Sequence, residues 1–445
     1  MALKVTIIGG GSSMFVPGLL RRFIQAPCME GGTVALMDVD GGRLEVMDRL
    51  ARRLVAAEGA RLEIESTQDQ RESLTGADFV IVAISVGGMS SWEQDIEIPA
   101  RHGVFMHIHD SIGPGGIMRA FRNAPVLRSI AADVSQVAPG AWILNYTNPA
   151  TAMTLALKSV PDVNSASLCS CTWMPRDAVW LAERVGVAPE ELELPALVGG
   201  LNHCAGVTRL RLVDGRDALE LARANVSEPI EQWVMDVYGM LPYCWAHWVE
   251  FYPQLQHLTE PYQGRAQGLA MEYGRRIYVM DEQRARAAEW EALAARWSAP
   301  EPAEEISLAA LPEGAEDAGI DVVDVISAIA ENRNELYIVN TRNDGAIPGM
   351  ADDAIVEVQA LVGGQGIRPI ASNELPEALA AHLRLHHSVQ RITTEAALTG
   401  DRDAAFQAFV LDPLAAARLD LDQTRELFDE MMEANARFLP QFARD

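Results

Sequence analysis

The segment Lys4–Phe15, KVTIIGGGSSMF, begins as a short apolar run and turns abruptly into three glycines and two serines. A buried strand, a glycine turn and a following helix let the backbone approach a pyrophosphate closely, with the free amides of the helix N-terminus as donors. Gly9, Gly11 and Ser12 are therefore predicted to contact a dinucleotide. The alternative is a glycine-rich turn that serves only packing.

The next apolar run ends in LMDVD and supplies an acidic residue, Asp38. Its position is close to the spacing, about 20 residues or a little more after the glycines, at which a carboxylate bonds the ribose 2′-hydroxyl of NAD. A carboxylate there would repel the additional phosphate of NADP. FAD is bound by a similar fingerprint, so the glycines alone leave both cofactors open.

Short β-branched runs alternate with helix-like stretches over the first part of the chain, as in KVTIIGG, TVALMDVD, DFVIVAIS and AWILNYTNP. This alternation predicts βαβ units and an α/β fold, with a Rossmann-type, doubly wound parallel sheet over residues 1–170. Residues 171–445 differ: aromatic helical segments and a Pro/Glu-rich loop precede two strand-like runs, ELYIVNTRNDG and AIVEVQALV, and two more helices. They are predicted to form an α+β domain for substrate binding and oligomerisation.

Composition narrows the possible partners. The net charge of −26 argues against nucleic acid and anionic membranes, because phosphates need a basic surface. No apolar run approaches the ~20 residues that span a bilayer, and the N-terminal residues enter a strand directly, so a cytoplasmic location is expected. Five cysteines form an odd set, and no disulfide framework is expected.

A second group of polar residues follows apolar strands. In LNYTNP, Asn145 and Asn148 are predicted to lie at the carboxyl edge of the sheet, where open α/β sheets bind ligands. Cys169 and His203 each end an apolar stretch and could converge on the same edge. A thiolate and an imidazole bind divalent metals, and two protein ligands leave positions open for substrate oxygens. A buried filler cysteine and a core histidine are the alternatives.

Many segments together resemble one family, the family 4 glycoside hydrolases, which are NAD- and metal-dependent glycosidases. The resemblance runs nearly end to end and includes IIGGGSS, LMDVD, DSIGPGGIMRAFRNAPVL, LNYTNPA, GLNH and IVEVQALV. The spacing HWVEFYP, with His247, Glu250 and Pro253, resembles the branch acting on α-galactosides and uronides. The family fold is similar to that of lactate and malate dehydrogenases.

The resemblance implies an unusual reaction. NAD removes hydride from the sugar C3, a base takes the acidified C2 proton, the aglycone is eliminated, water adds at C1, and NADH returns the hydride. A divalent cation, usually Mn²⁺, bridges the C2 and C3 oxygens and spreads the developing charge. This implies NAD rather than FAD, since hydride must leave and return to one alcohol in each turnover.

Residue roles follow from matching the motifs. The resemblance implies that Cys169 and His203 hold the metal, and that Asn148 and Asn202 bind sugar hydroxyls. Arg119, in the shared segment DSIGPGGIMRAFR, is predicted to bind substrate, although it could equally pair with an acid. Its neighbour Arg122 is also expected to place positive charge near the crevice.

The C2 base of the family is a tyrosine, and YGMLPYCWAHW offers two. We predict Tyr243, which follows Pro242, with Tyr238 as the other candidate. A phenol has a pKa near ~10, so it needs nearby positive charge to act as a base. Either tyrosine could instead pack on a helix.

One departure from the family concerns the residue after the metal-binding cysteine, commonly His, Asn or Asp. Here it is Ser170, followed by Cys171, which could replace Cys169 as the ligand. A serine hydroxyl is a poor general acid. Asp110, beside His109, is predicted to hold a proton and donate it to the aglycone, although it could simply cap the following turn.

Two other functions compete with this one. An NAD-dependent 2-hydroxy acid dehydrogenase of the lactate/malate type would share the nucleotide-binding half, and a non-catalytic NAD-binding sensor would bind NAD without turnover. Under the glycosidase hypothesis the partner is a small-molecule glycoside, with neither nucleic acid nor membrane bound. The protein itself is expected to be a homodimer or homotetramer.

Overall fold

The computed structural model describes residues 2–13, 15–105, 108–258, 276–299, 306–311 and 322–443. Within these ranges the strands are β1 (Lys4–Ile8), β2 (Thr33–Met37), β3 (Glu63–Thr67), β4 (Phe79–Val82), β5 (Trp142–Asn145), β6 (Asn164–Ser167), β7 (Leu192–Leu201), β8 (Cys204–Leu212), β9 (Leu241–Pro242), β10 (Glu335–Arg342), β11 (Ile355–Gly363) and β12 (Gly366–Pro369).

The α-helices of the described ranges are α1 (Val16–Gln25), α2 (Gly41–Ala57), α3 (Gln70–Leu74), α4 (Gly88–Arg101), α5 (Gly113–Val137), α6 (Ala150–Lys158), α7 (Ala178–Val185), α8 (Ala218–Asn225), α9 (Pro229–Tyr238), α10 (Trp245–Phe251), α11 (Arg276–Ser298), α12 (Val322–Ala330), α13 (Glu377–Thr399), α14 (Arg402–Leu411), α15 (Pro413–Ala416) and α16 (Leu421–Ala434). Among these helices none combines the length and apolar character needed to cross a lipid bilayer. Most of the predicted Pro/Glu-rich loop, residues 300–305 and 312–321, lies outside the described residues.

The N-terminal half of the sheet confirms the predicted doubly wound fold. Its strands are parallel and run in the order β3-β2-β1-β4-β5-β6, which is the Rossmann order. The four strands predicted from apolar runs are β1, β2, β4 and β5. The sequence analysis missed β3, EIEST, and β6, NSAS, because both are polar and lack a branched apolar run.

The sheet continues without interruption into the second half of the chain. β6 meets β10 through the pair Asn340 and Ser167, and β10, β11, β7, β8 and β9 follow as antiparallel neighbours. The two predicted strand-like runs are confirmed as β10 and β11, which are antiparallel over eight residue pairs. The division into domains 1–170 and 171–445 stays a prediction.

The aromatic segment around Tyr243 is not one continuous helical stretch. α9 ends at Tyr238 because Gly239 takes a left-handed conformation (φ +67°), and β9 then pairs with β8. Cys244 is also left-handed (φ +55°) and precedes α10. Tyr243 therefore lies in a fully buried connection between a strand and a helix, where a side chain is held at a fixed position.

Arg122 on α5 corrects one expectation. Its guanidinium forms two hydrogen bonds with Asp95 on α4, at 2.9 and 2.5 Å, and a third with the Asn435 side chain, at 2.8 Å. The Arg122 and Asp95 side chains are 1% and 0% exposed. Arg122 thus joins α4 and α5 to the end of α16, and its charge is neutralised inside the protein instead of serving the ligand crevice.

Replacing Arg122 by Met should therefore lower stability sharply, since it leaves the Asp95 carboxylate buried without its cation. We expect a loss of roughly 3–5 kcal/mol in the free energy of unfolding, measured by urea denaturation. A matched control is Arg52→Met, because Arg52 pairs with Asp48 on the surface and is 54% exposed; its loss should be at most ~0.5 kcal/mol. Equal urea midpoints for Arg122→Met and Arg52→Met would contradict the structural role of Arg122.

Candidate active site

The carboxyl end of β6 and the β7–β8 hairpin bring the predicted metal ligands together. Cys169 is the second residue after β6, and His203 occupies the tight turn between β7 and β8 with a positive φ of 70°. The Cys169 sulfur and a His203 ring nitrogen lie within 4.8 Å of one another, and the Cys244 sulfur lies within the same distance of both. This distance confirms the predicted convergence of Cys169 and His203. The two residues are only 7% and 5% exposed.

A hydrogen-bond relay fixes the orientation of the His203 ring. Ser111 donates its hydroxyl to Asp110 Oδ1 at 2.7 Å, so its oxygen accepts a hydrogen bond from His203 Nδ1–H, 2.8 Å away. The lone pair of His203 is then on Nε2, as a metal ligand requires. Burial, with repulsion by His247, lowers the pKa of His203 to about 3, which keeps the ring neutral.

The charges around Asp110 favour its ionised form, whereas the sequence analysis expected this carboxyl to hold a proton. Burial raises the pKa of Asp110, but the positive charges of His247 and Arg119 and the hydrogen bond from Ser111 act in the opposite direction and bring the pKa below its usual value. Asn148 also donates its amide to Asp110 Oδ2 at 2.8 Å. In this state Asp110 has no proton for a leaving group and instead orients the relay to His203.

His247 and Glu250 on α10 form a pair that the sequence analysis did not assign a role. The His247 ring stacks on His203 with ring centroids 3.7 Å apart, and its Nδ1 lies 3.3 Å from Glu250 Oε2. The other Glu250 oxygen accepts the backbone amide of His109 at 3.1 Å. Burial opposes a charged ring, but Glu250 and Asp110 raise the pKa of His247. The His-x-x-Glu spacing on one helix face was the available signal.

A buried carboxylate, Glu357 on β11, holds the predicted base. Tyr243 donates its hydroxyl to Glu357 Oε1 at 2.8 Å, while Asn202 and Asn340 donate their amides to Oε2 at 3.0 and 2.8 Å. Burial raises the pKa of Glu357, and burial together with this carboxylate raises the pKa of Tyr243 well above its usual value. The sequence analysis missed Glu357, although IVEVQALV contains a lone acid in an apolar strand.

Two of the predicted substrate-binding residues, Asn202 and Arg119, already form hydrogen bonds within the protein. The Asn202 amide nitrogen binds Glu357, while its Oδ1 is buried and has no hydrogen-bond partner among the described residues. Arg119 donates Nε to the Asn148 carbonyl at 3.2 Å, and its buried Nη1 has no partner in the same ranges. Tyr238 lies among aromatic rings, with Trp233 and Tyr252 as neighbours.

The structure contains one disulfide, between Cys171 and Cys244, which departs from the expected absence of such bonds. Their Cα atoms are 5.5 Å apart although 73 residues separate them in sequence. The pairing arises because the turn after β6 lies against the start of α10. Cys169, Cys204 and Cys28 are free, so Cys169 keeps its thiol.

The glycine loop is closely packed against the ends of the neighbouring strands. The amides of Gly9 and Gly10 both donate to the Met37 carbonyl, and a Cβ on Gly9 (φ +97°) would lie 2.3 Å from the Ala83 oxygen. Packing therefore explains part of the glycine pattern. The Gly11 amide donates to Asp38 at 2.9 Å, which places the predicted ribose-binding acid beside the loop.

Ser12 lies between this loop and α1. Its hydroxyl oxygen accepts the amide of Phe15 at 3.3 Å, just before the helix begins. The loop, the acid and the start of the helix thus adjoin one another, as a dinucleotide site of the Rossmann type requires.

Comparison with known proteins identifies the family. Residues 4–179 match the family model described as Family 4 glycosyl hydrolase, and residues 198–415 match its C-terminal domain. The α-galactosidase of Bacillus subtilis (strain 168) is 29% identical over 450 residues, which cover 99% of each chain. A protein of the same strain named "Probable 6-phospho-beta-glucosidase" is 30% identical, over 99% of this chain and 98% of the relative.

A solved structure shows the same fold. It is the 6-phospho-α-glucosidase from gut microorganisms in complex with NAD and Mn²⁺, with a TM-score of 0.78 and 24% identity, covering 98% of this chain and 99% of the other. Both parts of the sequence match family models, and homology extends over nearly the whole chain. The protein therefore belongs to the family 4 glycosyl hydrolases.

Proposed function

We propose that this glycosyl hydrolase cleaves an α-galactoside or a hexuronide, using NAD and a divalent metal, Mn²⁺ or a similar ion. The observation that carries the proposal is the buried pair Cys169 and His203, with its relay through Ser111 to Asp110. The substrate class is supported by relatives named α-galactosidase, and by an α-galacturonidase that is 27% identical over 97% of each chain. A structural neighbour was solved with both cofactors.

The donor set fits a divalent metal. A thiol and an imidazole lie within 4.8 Å of each other, and the relay leaves the Nε2 lone pair of His203 available. A site with two protein ligands has open coordination positions, which sugar hydroxyls could fill. If Cys171 is tied to Cys244, Cys169 is the cysteine of the two that can ligate.

The loop containing Gly9, Gly11 and Ser12 is proposed to bind the NAD pyrophosphate, and Asp38 the ribose. Asp38 already accepts the Gly11 amide and would exchange or share that bond with a 2′-hydroxyl. Bound NAD would supply a hydride acceptor for the sugar, and a metal held by Cys169 and His203 would supply Lewis-acid polarisation of sugar oxygens. The remaining chemistry depends on protein side chains.

Tyr243 is proposed as the base at the sugar C2. Its hydroxyl proton already points at Glu357, so Glu357 can accept that proton and leave a phenolate. Burial opposes this in the free protein, while positive charge on a neighbouring metal would favour it. Tyr238 instead packs among aromatic rings.

Substrate binding is assigned to Arg119, Asn148 and Asn202. The buried Nη1 of Arg119 could bind the carboxylate of a hexuronide or a hydroxyl of a galactoside. Asn202 can accept a sugar hydroxyl through Oδ1, and Asn148 shares its amide with Asp110. Asp110 acts in this proposal as an orienting carboxylate and not as the acid.

The rival functions differ in their expected products. A lactate- or malate-type dehydrogenase would accumulate NADH and need no metal, and it does not account for the family membership. A non-catalytic sensor would bind NAD without turnover. A cytoplasmic location, the absence of nucleic-acid partners and a homodimeric or homotetrameric state remain expectations of the sequence analysis.

The substrate proposal is tested with nitrophenyl α-galactoside, α-galacturonide, α-glucuronide and 6-phosphoglucosides, assayed with NAD and Mn²⁺. We expect cleavage of a galactoside or uronide, complete loss on chelation, recovery with Mn²⁺, and no net NADH. Arg119→Gln should raise KM more for a uronide than for a galactoside, since only the former offers a carboxylate. Stoichiometric NADH accumulation would favour the dehydrogenase, and cleavage of phosphoglucosides alone would contradict the substrate class.

Asp38→Ala should weaken NAD binding by about 1–3 kcal/mol, the cost of losing a hydrogen bond to a charged group. It should also reduce discrimination against NADP, because the repulsion is removed. Isothermal titration with each cofactor measures both effects. Asp40→Ala is the control, since it removes a side chain that caps α2 but keeps the backbone amide that donates to Asp38. Unchanged affinities in Asp38→Ala would show that Asp38 only supports the loop.

The C2 proton should exchange with solvent during turnover. Product formed in D2O should carry deuterium at C2, because the elimination removes that proton and water addition returns one from solvent. Tyr243→Phe should lose nearly all exchange while keeping NAD and metal affinity. Tyr238→Phe is the matched control and should exchange normally. Only protium at C2 in the wild-type product would reject the elimination mechanism, and loss of exchange in Tyr238→Phe alone would reassign the base.

A further inference from the structure

We propose that Cys244, once reduced, is a third protein ligand of the metal, and that the Cys171–Cys244 disulfide withdraws it. This inference rests on the proposed function, because it takes Cys169 and His203 as the other two ligands. The site would then have two forms: a Cys–His pair when the disulfide is present, and a Cys₂His set when it is reduced.

The first support is geometric. The sulfurs of Cys169 and Cys244 and a ring nitrogen of His203 all lie within 4.8 Å of one another. Ligand atoms around a tetrahedral ion with bonds of about 2.0–2.3 Å are separated by less than this, so a small side-chain adjustment would close the set. All three residues are buried, at 7%, 4% and 5% exposure for Cys169, Cys244 and His203.

The second support is that Cys244 is held in place from both sides along the chain. Tyr243, before it, is bound to Glu357, and His247, after it, stacks on His203. Reduction of the disulfide would therefore leave the Cys244 sulfur beside the metal-binding pair. Cys171 lies on the short 3₁₀ turn Ser170–Arg176, which is a separate element.

Access to the disulfide is asymmetric. Cys171 is partly exposed, whereas Cys244 is buried. A dithiol reductant can attack the Cys171 sulfur, which releases Cys244 as the leaving thiolate; the second reductant thiol then frees Cys171. One protein disulfide becomes two thiols, and the dithiol becomes a disulfide, so two electrons and two protons move. On metal binding Cys244 gives up its proton to solvent.

The two forms should select different metals. Soft thiolates select zinc, whereas Mn²⁺ is better suited to oxygen ligands. A Cys₂His set with one open position is an established catalytic zinc arrangement. We therefore expect the reduced form to prefer Zn²⁺ and Co²⁺, and the disulfide form to accept Mn²⁺ more readily. The oxidation state of Cys171 and Cys244 would thus determine which ion occupies the site.

The experiment titrates Co²⁺ and Zn²⁺ into the metal-free full-length protein under nitrogen. Cys171→Ser leaves Cys244 permanently free, Cys244→Ser removes the third ligand, and Cys28→Ser is a control because Cys28 contacts Ser327 instead. Thiolate-to-cobalt charge-transfer absorbance should be about twofold stronger in Cys171→Ser than in Cys244→Ser, since two thiolates replace one. The ratio of Zn²⁺ to Mn²⁺ affinity should be higher by about 10-fold or more in Cys171→Ser than in Cys244→Ser.

In their oxidised forms, the wild type and Cys28→Ser should have the same cobalt absorbance and Zn²⁺ to Mn²⁺ affinity ratio as Cys244→Ser. After treatment with a dithiol that is then removed, they should match Cys171→Ser. In the reduced wild type, bound Zn²⁺ should protect Cys244 from alkylation, read by peptide mass spectrometry, which keeps the test informative if one variant folds poorly.

Equal absorbance and equal Zn²⁺ to Mn²⁺ ratios in Cys171→Ser and Cys244→Ser, or full alkylation of Cys244 with Zn²⁺ bound, would overturn the inference. The proposed function fails separately. If Cys169→Ser binds Co²⁺ as tightly as the wild type does, the Cys169–His203 site itself is wrong, whereas loss of the Cys244 effects alone leaves that site intact.

Discussion

The buried carboxylate of Glu357 is the constraint on which the site geometry depends. A carboxylate with no exposed surface is strongly unfavourable unless it is paired, and Glu357 is satisfied by three side-chain donors from separate parts of the chain. Asn202 comes from the β7–β8 hairpin, Asn340 from β10, and Tyr243 from the connection after β9. Because each donor must stay in place, the positions of the hairpin turn and of Tyr243 are determined together.

His203 connects the Glu357 network to the hydrogen bonds formed by Ser111 and Asp110. It directly follows Asn202, which Glu357 holds, while its own ring is oriented by Ser111 and Asp110 from the start of α5. The N-terminal and C-terminal halves of the chain thus both restrain one imidazole. A side chain oriented from two directions would lose little freedom on binding a ligand, which is the general advantage of preorganised sites.

The sequence predicted the parts of this protein that depend on local patterns. Apolar runs identified β1, β2, β4, β5, β10 and β11, and the glycine motif placed Asp38 beside the loop, as the structure shows. Sequence patterns did not predict the features that depend on tertiary contacts. Asp110 carries no local sign of the charges that ionise it, and Arg122 none of its pairing with Asp95. The Cys171–Cys244 bond joins segments 73 residues apart, and a lone Glu357 in an apolar strand gives no indication of its three donors.

The continuous sheet has a consequence for protein engineering. The parallel and antiparallel halves meet where β6 pairs with β10, and the bridging residue Asn340 also donates to Glu357. A chimera that joins the first 170 residues of one family member to the remainder of another would have to reproduce this strand pairing as well as the peptide link. If it did not, the glycine loop and the pair Cys169 and His203 would be displaced relative to each other, even though each half retained its own motifs. Exchanging specificity by recombination is therefore better attempted within the loops than at the domain junction.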